Sequence, residues 1–174
     1  LDAELPPEER ARRERMREGA AGVPAYATDD GVTVSAFTLA GRLFVAGLVS
    51  GMARELAVDG PVFDPRPDPV ATRVAYVSGR ALRIAELDGS SWELAGEADP
   101  TISWGSADFI AAEEMHRFRG YWWSPDGAAI AACRVDTSPV QRWYIANPAE
   151  PQQPADEIRY PAAGTPNARV SLVL

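Results

Sequence analysis

Lysine is absent from this chain of 174 residues, and arginine supplies all seventeen basic side chains. Together with abundant alanine, glycine and proline, this points to a GC-rich genome as the source rather than to a function. Cys133 is the only cysteine, so neither an internal disulfide nor a cysteine zinc site can form. It lies in the apolar run AAIAAC and is expected to be a small buried hydrophobe. His116 is the only histidine, which excludes a histidine-rich metal site. No run approaches the roughly 18 apolar residues of a membrane span, and no secretory signal stands at the start. The expected compartment is therefore the cytoplasm, although Leu1 in place of Met is expected to mark a partial chain.

Basic charge is scarce relative to acid. The formal net charge is -8, which argues against a general nucleic-acid binder. An acidic balance suits ammonium-bearing ligands, but most often it serves solubility alone. The length allows one or two domains with a real core.

Residues 6–18, PPEERARRERMRE, read as a short polar helix with proline and acidic residues in its first turn, ended by Gly19 and Gly22. Residues 1–22 are thus expected to form an N-terminal helical arm. Its arginines interleave with glutamates, as on a solvated face. From Val32 the rhythm changes to short β segments at 32–39, 42–49, 53–58, 81–87 and 90–96, bounded by Gly, Asp and Pro. FDPRPDPVATRVAYV (63–77) reads as a proline-rich turn leading into a strand, and Asp88-Gly89 is a hairpin signal. Three or four strands in about forty residues match the period of a propeller blade.

The pattern recurs. WSPDGAAIAACRVD (123–136) echoes 63–77: an aromatic, a polar residue and proline, an aspartate-containing turn, then a buried strand. Strands at 141–147, 156–161 and 168–174 follow. The two echoing turns are about sixty residues apart, more than one blade needs. The excess is assigned to an insertion between blade strands at about 100–119, with Ser106 as N-cap and Asp108 in the first turn of a helix.

That insertion carries two adjacent carboxylates, Glu113 and Glu114. On a strand they would point to opposite faces; on a helix they lie about 100° apart and can converge on one ligand. Two converging carboxylates suit a primary ammonium, whose three N–H donors form a compact tripod and make charge-assisted bonds. Adjacent glutamates on an exposed helix are also, and commonly, just a solvated face. Arg117 and Arg119 are candidate surface partners for them. Metal binding finds too few neighbouring ligands. Trp122 and Trp123 fall on opposite faces of the next strand, one expected between blades and the other within the blade or under the insertion.

The stretch FIAAEEMHRFRGYWWSPDG (109–127), then CRVDTSPV, then RYPAAGTPNARVSL, resembles the propeller of the dipeptidyl peptidase IV family, in the prolyl-oligopeptidase clan of serine peptidases. The likeness is strongest over 101–174 and generic over 31–97. It implies an all-β fold: a partial β-propeller, about three to four blades of an eight-bladed ring, over residues 23–174. It also implies a C-terminal α/β-hydrolase domain of the same protein as partner, and no cofactor. It assigns Glu113 and Glu114 to the double-Glu motif that holds the free N-terminus of peptide substrates, so that dipeptides are released. The family's arginine that contacts a substrate carbonyl has no motif here; Arg42 and Arg54 are among the candidates.

The nucleophile elbow G-x-S-x-G is absent from the 174 residues, and His116 matches no triad histidine. The resemblance therefore implies catalytic residues beyond Leu174, and this piece alone is expected to be inactive. A partial propeller has open edges that invite pairing with another copy. Two rival readings stand beside this one: a non-catalytic propeller that binds protein partners, and a TolB-like or WD-type scaffold.

Overall fold

The computed structural model describes residues 22–23, 25–149 and 151–174. The polar helix expected at 6–18 lies outside them. Among the described residues the chain is nearly all β, in successive antiparallel sheets.

The first sheet comprises β1 (Tyr26–Thr28), β2 (Val34–Leu39), β3 (Arg42–Gly47) and β4 (Met52–Leu56), in that order. The second repeats it with β5 (Phe63–Pro67), β6 (Arg73–Ser78), β7 (Ala81–Glu86) and β8 (Ser91–Ala95). The third is built on β11 (Ile130–Asp136). One of its edges pairs with β14 (Arg169–Val173); the other is shared by β9 (Ile102–Trp104) and β10 (Tyr121–Trp123). A two-stranded hairpin, β12 (Arg142–Ile145) with β13 (Asp156–Arg159), leaves the third sheet between β11 and β14. Three blade-like sheets in series, without closure into a ring, make this a partial β-propeller.

The strands form where β-branched and aromatic residues alternate, and side chains from neighbouring sheets interlock into two clusters. Ala36, Leu43, Val45 and Leu56 of the first sheet meet Val74, Tyr76 and Ala85 of the second. Val77, Leu82 and Ile84 of the second meet Tyr121 and Ala132 of the third. Backbone bonds repeat the same junction: Val62 N–H donates to Gly41 O (2.8 Å), and Trp104 N–H donates to Arg80 O (2.9 Å). Each hairpin tip thus holds the first strand of the next sheet.

The turn after each first strand is also repeated. Asp29, Asp68 and Ser124 each donate their N–H to the carbonyl five residues on, at Val34, Arg73 and Ala129. In each, the side-chain oxygen turns back to accept from the same loop: Asp29 from Thr33 and Val34, Asp68 from Thr72 and Arg73, Ser124 from Ala129. This satisfies the donors of the tight turn within the loop itself. The echo seen in the sequence is therefore real but shifted: Ser124 corresponds to Asp68, not to Asp64.

Phe63–Pro67 is a strand, not the proline-rich turn that its sequence predicts. It pairs with β6 alone, so Pro65 and Pro67 remove no ladder bond on a second side. A bulge between Phe63 and Arg66 absorbs the strain, and Asp64 there has φ +46°.

Candidate functional site at the strand insertion

β9 and β10 are two halves of one strand. Trp104 pairs with Arg134 and Tyr121 with Ala132, leaving Cys133 opposite the break. Gly105 N–H donates to Cys133 O (3.0 Å), and Cys133 N–H donates to Gly120 O (2.8 Å). The chain thus leaves the strand at Gly105, runs through 106–119, and re-enters at Gly120 opposite the same residue. The insertion is shorter than the expected 100–119 and interrupts a strand instead of lying between strands. Ile102–Trp104 escaped the sequence reading because three residues are too few to show a period of two.

Both stem glycines are required by space. A Cβ on Gly120 would stand 2.4 Å from Ser106 C and 2.5 Å from Gly105 C. Gly105 has φ +75°, and a Cβ there would press on Val77 and Leu82 at 3.1 Å. Ser106 and Arg119 form a single bridge that closes the stem.

Inside the insertion, α1 (Phe109–Glu114) forms one and a half turns. Its N-cap is Asp108, not Ser106: Asp108 Oδ2 accepts from Ala111 N–H (3.3 Å). Its other oxygen receives Arg117 Nη2 (3.4 Å), and Arg117 Nη1 donates to Arg119 O (2.8 Å). One side chain therefore clasps the helix start to the insertion's exit. The chain leaves the helix through His116 at φ +50°, with Arg117 N–H donating to Ala111 O (2.9 Å). Phe109 packs edge-on against Tyr160 (5.3 Å between centroids), and Tyr160 packs against Trp143 of the hairpin (6.4 Å). The hairpin thereby buttresses the helix.

Ala111 and Ala112 are buried under the helix, and Glu113 and Glu114 occupy its last turn, exposed. Arg117 and Arg119 are engaged elsewhere: Arg117 with Asp108, while Arg119 Nε donates to Tyr121 O (2.7 Å) and its guanidinium lies over Trp122 (5.7 Å). The two tryptophans divide as their parity predicts. Trp122 lies under the insertion's Arg119, and Trp123 packs towards the second sheet, its Nε1 donating to Arg66 O (3.2 Å). Cys133 is buried. Arg42 is paired with Glu55 and Arg54 donates to Leu87 O, so both serve local contacts on the first two sheets. Among the described residues, no group of three or more His, Cys, Asp or Glu could hold a metal, and no helix is long and apolar enough to cross a membrane.

The insertion grows from the position at which the second sheet carries its bulge. Pro67 opposite Val74 corresponds to Trp123 opposite Ile130, and Phe63 opposite Val77 corresponds to the glycine stem opposite Cys133. Tyr121, fully buried, joins the two features: its hydroxyl reaches Asp64 O (2.5 Å) and Ala75 O (2.8 Å). Burial pushes its phenol pKa well above the usual value, with the Asp64 charge adding to the rise. Tyr121 carries no sequence signal beyond membership in an aromatic run, and Arg119 is expected only as a surface partner of the glutamates.

The mouse protein dipeptidyl peptidase 8 is 27% identical over 94% of this chain, which covers 22% of that protein. A probable dipeptidyl-aminopeptidase B of Aspergillus niger is 32% identical over 60% of the chain and 13% of its own length. The chain therefore spans less than a quarter of these relatives. The crystal structure of Porphyromonas gingivalis dipeptidyl peptidase 4 superposes with a TM-score of 0.71 over 91% of this chain and 25% of that one, at 21% identity, which establishes a common fold. Residues 37–174 match the family described as dipeptidyl peptidase IV (DPP IV) N-terminal region. This chain belongs to the dipeptidyl peptidase IV N-terminal region family.

Proposed function

We propose that this chain is the substrate-recognition part of a bacterial, cytoplasmic serine exopeptidase that releases dipeptides from peptides with a free N-terminus. Glu113 and Glu114 bind the substrate α-ammonium, and an α/β-hydrolase domain of the same protein supplies the nucleophile. The observation that carries this reading is the position of the pair: two adjacent acids on the last turn of a short helix, exposed, on an insertion that breaks a propeller strand. The family relationship and the names of the relatives support the peptidase part.

The chemistry follows from the geometry. Neighbouring helical positions are about 100° apart, so two carboxylates can approach one ammonium from two sides. Each charge-assisted bond is about twice as strong as a neutral one. An ammonium held at a set distance from the nucleophile selects one peptide bond, and such positioning can supply several kcal/mol towards the barrier. The catalytic step itself belongs to residues outside this chain.

The experiment is a product analysis of the whole protein. A peptide with a free amine is expected to lose successive dipeptides, and its N-acetylated form to remain intact. Release of single residues, internal cleavage, or equal cleavage of the acetylated peptide would overturn the reading. No hydrolysis of either peptide would favour a non-catalytic, partner-binding propeller.

A further inference from the structure

A second polar feature lies at the foot of the insertion, apart from the glutamate pair. A cavity of about 170 Å³ opens between the first strands of two adjacent sheets and the insertion's exit. Tyr26, Thr38, Asp64, Arg66, Phe118 and Arg119 are among its lining residues. We propose that this cavity is a binding site for a single carboxylate group, held by Arg119 with support from Arg66.

The charges are unbalanced here in the opposite sense to the chain. The protein carries -8 overall, yet the charged groups lining this cavity are two arginines and one aspartate. Arg66 and Asp64 satisfy each other: Arg66 Nη2 stands 2.8 Å from Asp64 Oδ1, and Arg66 Nε 3.3 Å from Oδ2. That pairing engages both oxygens of the single acid, which acts on Arg119 only as a more distant charge. Arg119 is left with its Nε on Tyr121 O and its face over Trp122, and has no carboxylate partner among the described residues. Its remaining guanidinium N–H donors have the fork geometry that matches a carboxylate.

The site is held rigidly. The bulge with its left-handed Asp64 aims the Asp64–Arg66 pair, and Tyr121 pins the Asp64 carbonyl. Trp122 and the Tyr121 carbonyl fix the Arg119 guanidinium. Burial first, and then the neighbouring Arg66 charge, lower the Arg119 pKa, with the Asp64 charge acting the other way, so a bound anion would add to the compensation of this guanidinium. The volume suits one functional group and its stem rather than a whole ligand. Two sources supply such a group: an acidic side chain of a peptide, or a peptide's C-terminal carboxylate.

The test is calorimetric titration of the whole protein with four probes. Acetate provides the bare group and acetamide its uncharged counterpart. N-acetylglutamic acid α-amide presents only a side-chain carboxylate, and N-acetylalanine only a C-terminal one. Acetate is expected to bind and acetamide not; whichever of the larger probes binds identifies the source. Arg119→Gln is expected to weaken acetate at least tenfold, Arg119→Lys less, and Glu113→Gln not at all. Absence of acetate binding, equal binding of acetamide, or unchanged binding in Arg119→Gln would overturn the proposal. The acetate–acetamide comparison needs only the unmodified protein, so it decides the matter even if the variants misfold. Loss of the glutamate-pair reading would leave these outcomes unmoved.

Discussion

The Tyr121 hydroxyl lies 2.5 Å from the Asp64 carbonyl oxygen, joining the strand that resumes after the insertion to the bulge of the sheet before it. The same hydroxyl reaches Ala75 O at 2.8 Å, so a single proton is shared between the buried Ala75 carbonyl and the partly buried Asp64 carbonyl. The register of the insertion therefore depends on a neighbouring sheet as well as on its own stem.

Tyr121→Phe keeps the ring and removes that shared bond. Leaving a buried carbonyl with one partner fewer costs about 1–3 kcal/mol. The expected outcome is a lower denaturant midpoint at an unchanged slope, measured by equilibrium unfolding. An unchanged midpoint would show that the hydroxyl contributes nothing to the sheet-to-sheet contact.

Gly120→Ala attacks the stem. The new methyl would sit 2.4–2.5 Å from backbone atoms of Gly105 and Ser106, which have no flexible end to move aside. Overpacking of this kind costs about 1–3 kcal/mol, and relief requires the stem to part. Gly89→Ala is the control, because a Cβ there meets nothing within 4 Å although its φ is +97°. Hydrogen exchange at the Gly105 and Cys133 amides is expected to quicken in Gly120→Ala and not in Gly89→Ala. Equal protection in both variants would contradict the strand-interruption geometry.

Stability should fall at both ends of the pH scale. Asp29 is pushed up by burial, but the bonds from Val34 and Thr33 outweigh this, and its folded pKa lies below the ordinary 3.8. Asp126, bonded by Ser124 and Ala128, and Asp136, bonded by Ser138, are lowered in the same way. A lowered carboxylate pKa contributes stability above the unfolded value, and that stability is lost as pH falls through the folded value. The expected thermal midpoint is therefore flat around neutrality and declines below about pH 4. Tyr121 has the opposite sign: its raised pKa means that stability is complete below the usual 10.0 and is lost as pH climbs beyond it. In Tyr121→Phe the alkaline decline should be shallower, and a thermal-melt series across pH reads both limbs.

Much of this fold was legible because its signals are local. The alternation in 34–39 and 42–47, and Asp88-Gly89 between β7 and β8, specify strands and turns within a few residues. Glu113 and Glu114 were legible as a pair for the same reason, and α1 does carry both. What escaped depends on partners distant in sequence. Pro65 and Pro67 argue against a strand unless one knows that β5 pairs on one side only. Asp108 instead of Ser106 caps α1, and its second oxygen accepts from Arg117, nine residues away. The meeting of Arg119 with Arg66 and Asp64 needs two sheets to be in place, and no spacing in the chain announces it.

The most direct test of the account compares kcat/KM of the whole protein for a dipeptide substrate with a free amine and for its N-acetyl form, in the unmodified protein and in Glu113→Gln and Glu114→Gln. The account predicts a strong preference for the free amine in the unmodified protein. Each substitution should reduce kcat/KM for that substrate by roughly a hundredfold, equivalent to about 2.7 kcal/mol of lost transition-state binding, with little change for the acetylated one. If both variants keep the unmodified protein's kcat/KM for the free amine, the glutamates on α1 do not hold the substrate and the account is contradicted.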